Sequence, residues 1–170
     1  FFPLHRLFTL HLKTELGYGE SYGDTDRFPF YKHFFSGGFG SVRGYETNSL
    51  GPRATPSAND PFAFSEPDPI GGNVLVSGTA EILFPLPFVK DQRTMKSVMF
   101  VDAGNVFNTN CPRAAPFCRS PEDGELRYSA GFAFTMITGF APISASYSVL
   151  LNPKPGDERE RFQFELGKTF

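Results

Sequence analysis

The side chains that could do chemistry here are three histidines, two cysteines, and a serine and an arginine set among glycines. His5, His11 and His33 have no spacing at which they would share a metal ion, so neither metal nor cofactor is expected. His11 falls on a polar strand face and reads as a solvated residue. Gly38-Phe39-Gly40-Ser41-Val42-Arg43-Gly44 has the spacing G-x-G-x-x-x-G. It misses the dinucleotide fingerprint, and no helical pattern follows it. Ser41 lacks the glycine pair of a nucleophile elbow. No enzyme is expected. Cys111 and Cys118 lie in a proline-rich stretch with nothing nearby to complete a metal site. The expectation is a local disulfide formed in an oxidising compartment, with two free surface thiols as the alternative.

Arg43 is different. Gly37, Gly38, Gly40 and Gly44 surround it, together with apolar Phe39, Val42 and Tyr45. Glycine permits close approach and positive φ, so a compact turn here could present a guanidinium inside the protein. An exposed glycine-rich loop carrying an incidental arginine fits the same residues.

The elements that would position this segment are strands. From Arg6, residues Phe8, Leu10, Leu12, Leu16 and Tyr18 share one face, and Thr9, His11, Lys13, Glu15 and Gly17 the other. That is period two over thirteen residues, longer than the usual soluble strand of about 5–6 residues. A second strand spans 73–84, with Val74, Val76, Ala80 and Ile82 opposite Asn73, Ser77, Thr79 and Glu81. A third, about 96–107, is apolar on both faces and holds one acid, Asp102. A fourth sets Tyr128, Ala130, Phe132, Phe134 and Met136 against Arg127, Ser129, Gly131 and Thr135. The fifth sets Ile143, Ala145, Tyr147 and Val149 against Ser144, Ser146 and Ser148. The last, over 160–170, sets Phe162, Phe164, Leu166 and Phe170 against Gln163, Glu165 and Gly167.

Six strands of about ten residues match what a tilted strand needs to cross a bilayer, roughly 9–11 residues. Aromatics sit near strand ends (Tyr18, Phe84, Tyr128, Phe170), as interfacial girdles do. Long and short connections alternate. The 20–71, 108–124 and 152–159 segments would be extracellular, with the C-terminus at the periplasmic edge. The fold class expected is all-β: a fragment of an antiparallel transmembrane β-barrel. Six strands cannot close such a barrel, since the smallest have about eight, so a C-terminal piece of a larger barrel is expected. The start, which has neither an initiator methionine nor a signal region, reads as mature or as a fragment.

Composition agrees. Gly 17 and Pro 15 in 170 residues favour many turns over long helices. A net charge of −2 offers no basic excess for nucleic acid. No apolar run reaches the roughly 18 residues of a transmembrane helix. The mean hydropathy of −0.23 is compatible with alternating barrel strands.

The segment GGFGSVRGYETNSLGPR resembles the loop motif of the VRGY superfamily. This superfamily comprises the BamA outer-membrane assembly factors, TamA, two-partner secretion transporters and organellar import barrels. Val42, Arg43, Gly44 and Tyr45 carry the shared core. The continuation Asn48-x-x-Gly51-Pro52-Arg53 resembles the BamA branch. GGNVLVSGTAEILFPLPF, VMFVDAGNVFNT and RFQFELGKTF agree. The resemblance spans the whole chain, as strands eleven to sixteen of a sixteen-stranded barrel. The cysteine pair departs from the pattern, since such a pair would be expected in the long loop.

The resemblance implies a nucleotide-independent insertase in the outer membrane of a Gram-negative bacterium. Outer-membrane lipid would surround it and unfolded outer-membrane proteins would be its clients. Bam lipoproteins would bind mainly through POTRA domains absent from this sequence. Clients would enter at a weak seam between first and last strands, with Phe162, Phe164, Leu166, Gly167 and Phe170 on the seam strand. The 20–71 loop would fold into the lumen and dock Arg43 against Glu81 and Asp102. Strand alternation faces Glu81 inward, whereas the facing of Asp102 is ambiguous by pattern. Two-partner secretion or TamA-like translocation is the alternative within the superfamily. A passive porin would share the strands but not the loop, and a soluble lipocalin-like binder would close with eight strands.

Overall fold

The computed structural model describes residues 1–5, 7–23, 28–54, 67–86, 94–110 and 125–167. Its framework is one antiparallel sheet of seven strands in the order β1-β2-β4-β5-β6-β7-β9. The strands are β1 (Phe2–His5), β2 (Phe8–Tyr18), β4 (Val74–Phe84), β5 (Met95–Phe107), β6 (Arg127–Ile137), β7 (Pro142–Leu150) and β9 (Phe162–Leu166). The short β3 (Gly44–Tyr45) and β8 (Arg159–Glu160) form a separate two-stranded ladder. Among the described residues β1 and β9 do not pair with each other, so the sheet stays open.

Period-two alternation becomes two chemically distinct faces. Leu12, Leu16, Met99, Val101, Phe132, Tyr147, Phe162 and Phe164 are exposed on one. Ser129, Thr135, Ser144, Ser146, Ser148 and Gln163 are buried on the other. Apolar side chains outside and small polar ones inside is the inverse of a soluble core and the arrangement of a membrane barrel wall.

Three details differ from the sequence reading. The first strand begins at Phe8, not Arg6, and the N-terminal residues fold back on it as β1, with Phe2 opposite Leu10. Four residues containing a proline show no periodicity from which β1 could be read. The terminal strand is broken at Arg161 into β8 and β9 and ends at Leu166. Gly167 follows with φ +93°, a conformation that L side chains rarely adopt, and its N–H still donates to Pro142 O at 2.9 Å. Phe170 and the Cys111–Cys118 pair lie outside the described residues.

Register places side chains of the inner face in rows across the sheet. One row runs His11–Glu81–Phe100–Gly131–Ser148. The next, toward the long loop, runs Lys13–Thr79–Asp102–Ser129–Leu150. This register resolves the facing of β5: Asp102 lies between Thr79 and Ser129, on the inner face. The inner face of β5 is itself apolar because Val98 and Phe100 pack under the loop with Phe39, Leu83 and Ala133.

Gly131 has a steric reason. A Cβ there would lie 2.1 Å from Tyr147 O and 2.8 Å from Cζ of Phe100. The Phe100 ring thus occupies the space a side chain would need. Gly131→Val is expected to block folding of the full-length barrel, read as loss of heat-modifiable gel mobility. Gly78→Ala is the control: its Cβ meets nothing closer than 3.8 Å, and folding should be retained.

Candidate functional site

The long connection between β2 and β4 returns to the inner face of the sheet. Backbone pairing of Phe34 with Gly72, Ser36 with Leu50 and Arg53 with Pro69 ties the two arms of the loop together. At its turn, Val42, Tyr45 and Leu50 form a small buried cluster against Leu150. Gly104 gives Val42 room, since a Cβ there would lie 2.9 Å from the Val42 methyl. Between Val42 and Gly44, Arg43 is only 2% exposed.

Every face of the Arg43 side chain is occupied. Nε and Nη2 donate to the two oxygens of Asp102 at 2.7 and 2.8 Å, a bidentate pair. The Arg43 backbone N–H donates to Asp102 Oδ2 at 3.1 Å. Nη1 lies 2.8 Å from Glu81 Oε1. The guanidinium carbon sits 3.5 Å from the centroid of Phe100, a close cation–π contact. Glu81 and Asp102 are themselves buried.

His11 corrects the sequence reading. It is not merely solvated: its Nδ1 donates to Glu81 Oε2 at 2.9 Å, and its ring stacks on Phe1 at 4.2 Å. Glu81 is therefore held from both sides. Lys13, on the next row, donates to Gly40 O at 3.4 Å.

Gly44 and Tyr45 engage the C-terminal end of the sheet. Gly44 has φ +91°, and a Cβ there would meet Ser148 Cβ at 2.8 Å and Leu150 Cδ2 at 2.9 Å. As β3 the two residues pair with Glu160 and Arg159 of β8. Gln163 of β9 also bonds both of them. Tyr45 is fully buried, and its burial, with Asp157 nearby, pushes its hydroxyl up to about 12. Around the turn, Arg53 pairs with Glu158 at 2.7 Å and Arg127 with Asp157 at 2.7 Å.

Of the residues singled out in the sequence, Val42, Arg43, Gly44, Tyr45, Glu81 and Asp102 thus meet in one region. Phe162, Phe164 and Leu166 lie on the opposite, exposed face of β9, away from Arg43. Phe100, Gly131 and Gln163 were not singled out. Only a glycine opposite an aromatic in mid-strand could have signalled the first two, and only once register was known.

The residues from first to last, 1–170, match the Omp85 superfamily domain. The chain belongs to the Omp85 superfamily. It is 40% identical over 186 aligned residues to the outer membrane protein assembly factor BamA of Neisseria meningitidis, covering all of this chain and 23% of that protein. It is 28% identical over 144 residues to the human sorting and assembly machinery component 50 homolog, covering 81% of this chain and 28% of that protein. The crystal structure of BamA from Haemophilus ducreyi lacking POTRA domains 1–3 superposes with a TM-score of 0.79 at 34% identity. That match covers 95% of this chain and 32% of the other. This Omp85 chain therefore spans about a quarter of the length of the curated relatives it matches. Its place is the outer membrane of a Gram-negative bacterium.

Two tests follow from the geometry. Arg43→Ala would leave Asp102 and Glu81 buried without their cation, at a cost of about 3–5 kcal/mol. Denaturant unfolding of the full-length barrel should show this loss. Arg43→Lys should recover only part of it, because an ammonium cannot make the bidentate contact. The second test concerns Glu46, whose carboxyl is raised above the usual 4.5 by a hydrogen bond and charge repulsion from Glu158. A raised acid stabilises the folded state at low pH, and that contribution is lost as pH rises through its folded value. Loop docking is thus expected to tighten as pH falls from neutrality toward 4.5. Cysteine accessibility in the loop reads this, and Glu46→Gln should flatten the dependence.

Proposed function

We propose that the intact protein assembles β-barrel proteins into the bacterial outer membrane. The observation that carries this reading is the match of the whole chain to an outer membrane protein assembly factor, at 40% identity. In this reading the polar face lines the lumen, and the apolar face of Leu12, Met99, Phe132, Tyr147 and Phe164 meets outer-membrane lipid. The 20–71 loop enters from the extracellular side and docks into the lumen through Val42, Arg43, Gly44 and Tyr45.

The insertion step needs no nucleotide. Unfolded clients arrive through POTRA domains with the help of Bam lipoproteins and add strands at a seam between the barrel's first and last strands. Adding a strand at an open edge satisfies backbone groups that lipid cannot. β9 supplies that edge. Among the described residues it pairs with β7 over five positions, Tyr147–Phe162 to Ile143–Leu166, whereas β4 and β5 pair over eleven. Its described ladder ends at Leu166, beside Gly167, whose backbone leaves extended geometry.

The test is a reversible lock. A disulfide engineered between β9 and the first barrel strand of the full-length protein should stop client insertion, and reduction should restore it. Normal insertion with the seam locked would overturn the seam mechanism.

A further inference from the structure

The four residues Val42 to Tyr45 hold two distant parts of the sheet at once. Arg43 fastens to Asp102 on β5 and Glu81 on β4. The very next residues fasten to the C-terminal segment, by the β3–β8 backbone ladder and, on β9 itself, through a side chain. The Gly44 N–H donates to Gln163 Oε1 at 3.3 Å, and Gln163 Nε2 donates to Tyr45 O at 2.7 Å. One primary amide thus takes both a donor and an acceptor from the loop, as a neighbouring strand would. A third contact, from Gln163 Nε2 to Glu160 Oε2 at 3.3 Å, fixes the amide's orientation. Gln163 is 4% exposed although it belongs to the shortest strand on the C-terminal side of the main sheet.

The surroundings reinforce the connection. β8, immediately before β9, has β3 as its ladder partner. Glu46 N–H donates to Glu158 O at 3.1 Å, continuing that ladder. Against β7 the described segment holds through Ser148 N–H to Arg161 O at 2.8 Å, the five β9 pairs and Gly167 N–H to Pro142 O at 2.9 Å. Residues 158–160, leading into the terminal strand, thus have the docked loop as a backbone partner.

We propose that Gln163 is a latch: it couples docking of Arg43 to the position of the terminal strand, so that the strand is held while the loop is seated and freed when it lifts. This rests on reading β9 as the seam strand. A loop that binds one state of the strand more tightly than another must shift its equilibrium, and the coupling is reciprocal. Loosening the strand must therefore loosen Arg43, and loosening Arg43 must loosen the strand.

That reciprocity is the test, made by amide hydrogen exchange on the full-length protein in its membrane complex. Gln163→Leu removes the latch without touching the Arg43 anchor. The Arg43 amide, which donates to Asp102 and not to Gln163, should then exchange about tenfold faster, within the ordinary range of coupling between sites. Asp102→Asn weakens the anchor, and residues 159–166, which Asp102 does not bond, should exchange faster to a similar degree. If Asp102→Asn fails to fold, Glu81→Gln loosens the same anchor more gently. Native exchange at Leu12 and Ala80, paired in the β2–β4 ladder, certifies a folded barrel. Unchanged exchange of the Arg43 amide in Gln163→Leu, or of 159–166 in the anchor variants, overturns the latch. The seam reading stands or falls separately: a locked seam that still inserts clients refutes the gate even where exchange is coupled. A locked seam that blocks insertion while exchange is uncoupled refutes the latch alone.

Discussion

A guanidinium cannot be left in a low-dielectric interior without its counter-charges. Removing one partner of such a buried pair commonly costs several kcal/mol. Arg43 therefore dictates much of what surrounds it. Two carboxylates from adjacent strands converge on it, an aromatic ring lies beneath it, and a histidine steadies the carboxylate that is not held bidentately. Each requirement propagates outward. Phe100 can lie flat under the cation because Gly131 leaves it space. Val42 can follow the arginine down to the wall because Gly104 has no side chain to block it. The loop's path is set by these small residues of the wall as much as by its own glycines.

The same arrangement explains why a sheet with a polar inner face carries a patch of apolar core. Val98, Phe100 and Ala133 are buried because Phe39 and the turn of the loop cover them. Without the loop they would face a water-filled lumen. The interior side of this wall is thus two surfaces: serines and threonines along β6 and β7, and an apolar seat where the loop lands.

The strands whose two faces differ in kind were legible in the sequence. β6 alternates Tyr128, Phe132 and Phe134 with Arg127, Ser129 and Thr135, and the structure exposes the first set and buries the second. β5 was not legible in this way, because its inner residues pack against a distant loop segment, Arg43 and Asp102 being 59 positions apart, and no local period records that. The Arg43 segment announced itself through its glycines and apolar neighbours, and the motif named its two acids. Gln163 gave no such signal. On an inward-facing strand position a glutamine looks like any lumen-lining residue, and its significance comes only from the loop backbone brought beside it. The same holds for His11, whose stacking partner Phe1 immediately precedes a strand too short to show a pattern.

The two anchors of the loop differ in how much chain they enclose. Arg43 and Asp102 are 59 residues apart, whereas Gly44 and Gln163 are 119 apart. The acids belong to consecutive strands, so one hairpin completes the arginine's seat before the last strands are needed. Closure entropy rises only slowly with length, yet contacts between nearer segments still form with less chain to arrange. Seating the loop on β4 and β5 thus encloses less chain than its bonds to residues 159–163 do. Those C-terminal residues in turn lie against the loop as well as against their neighbouring strand β7.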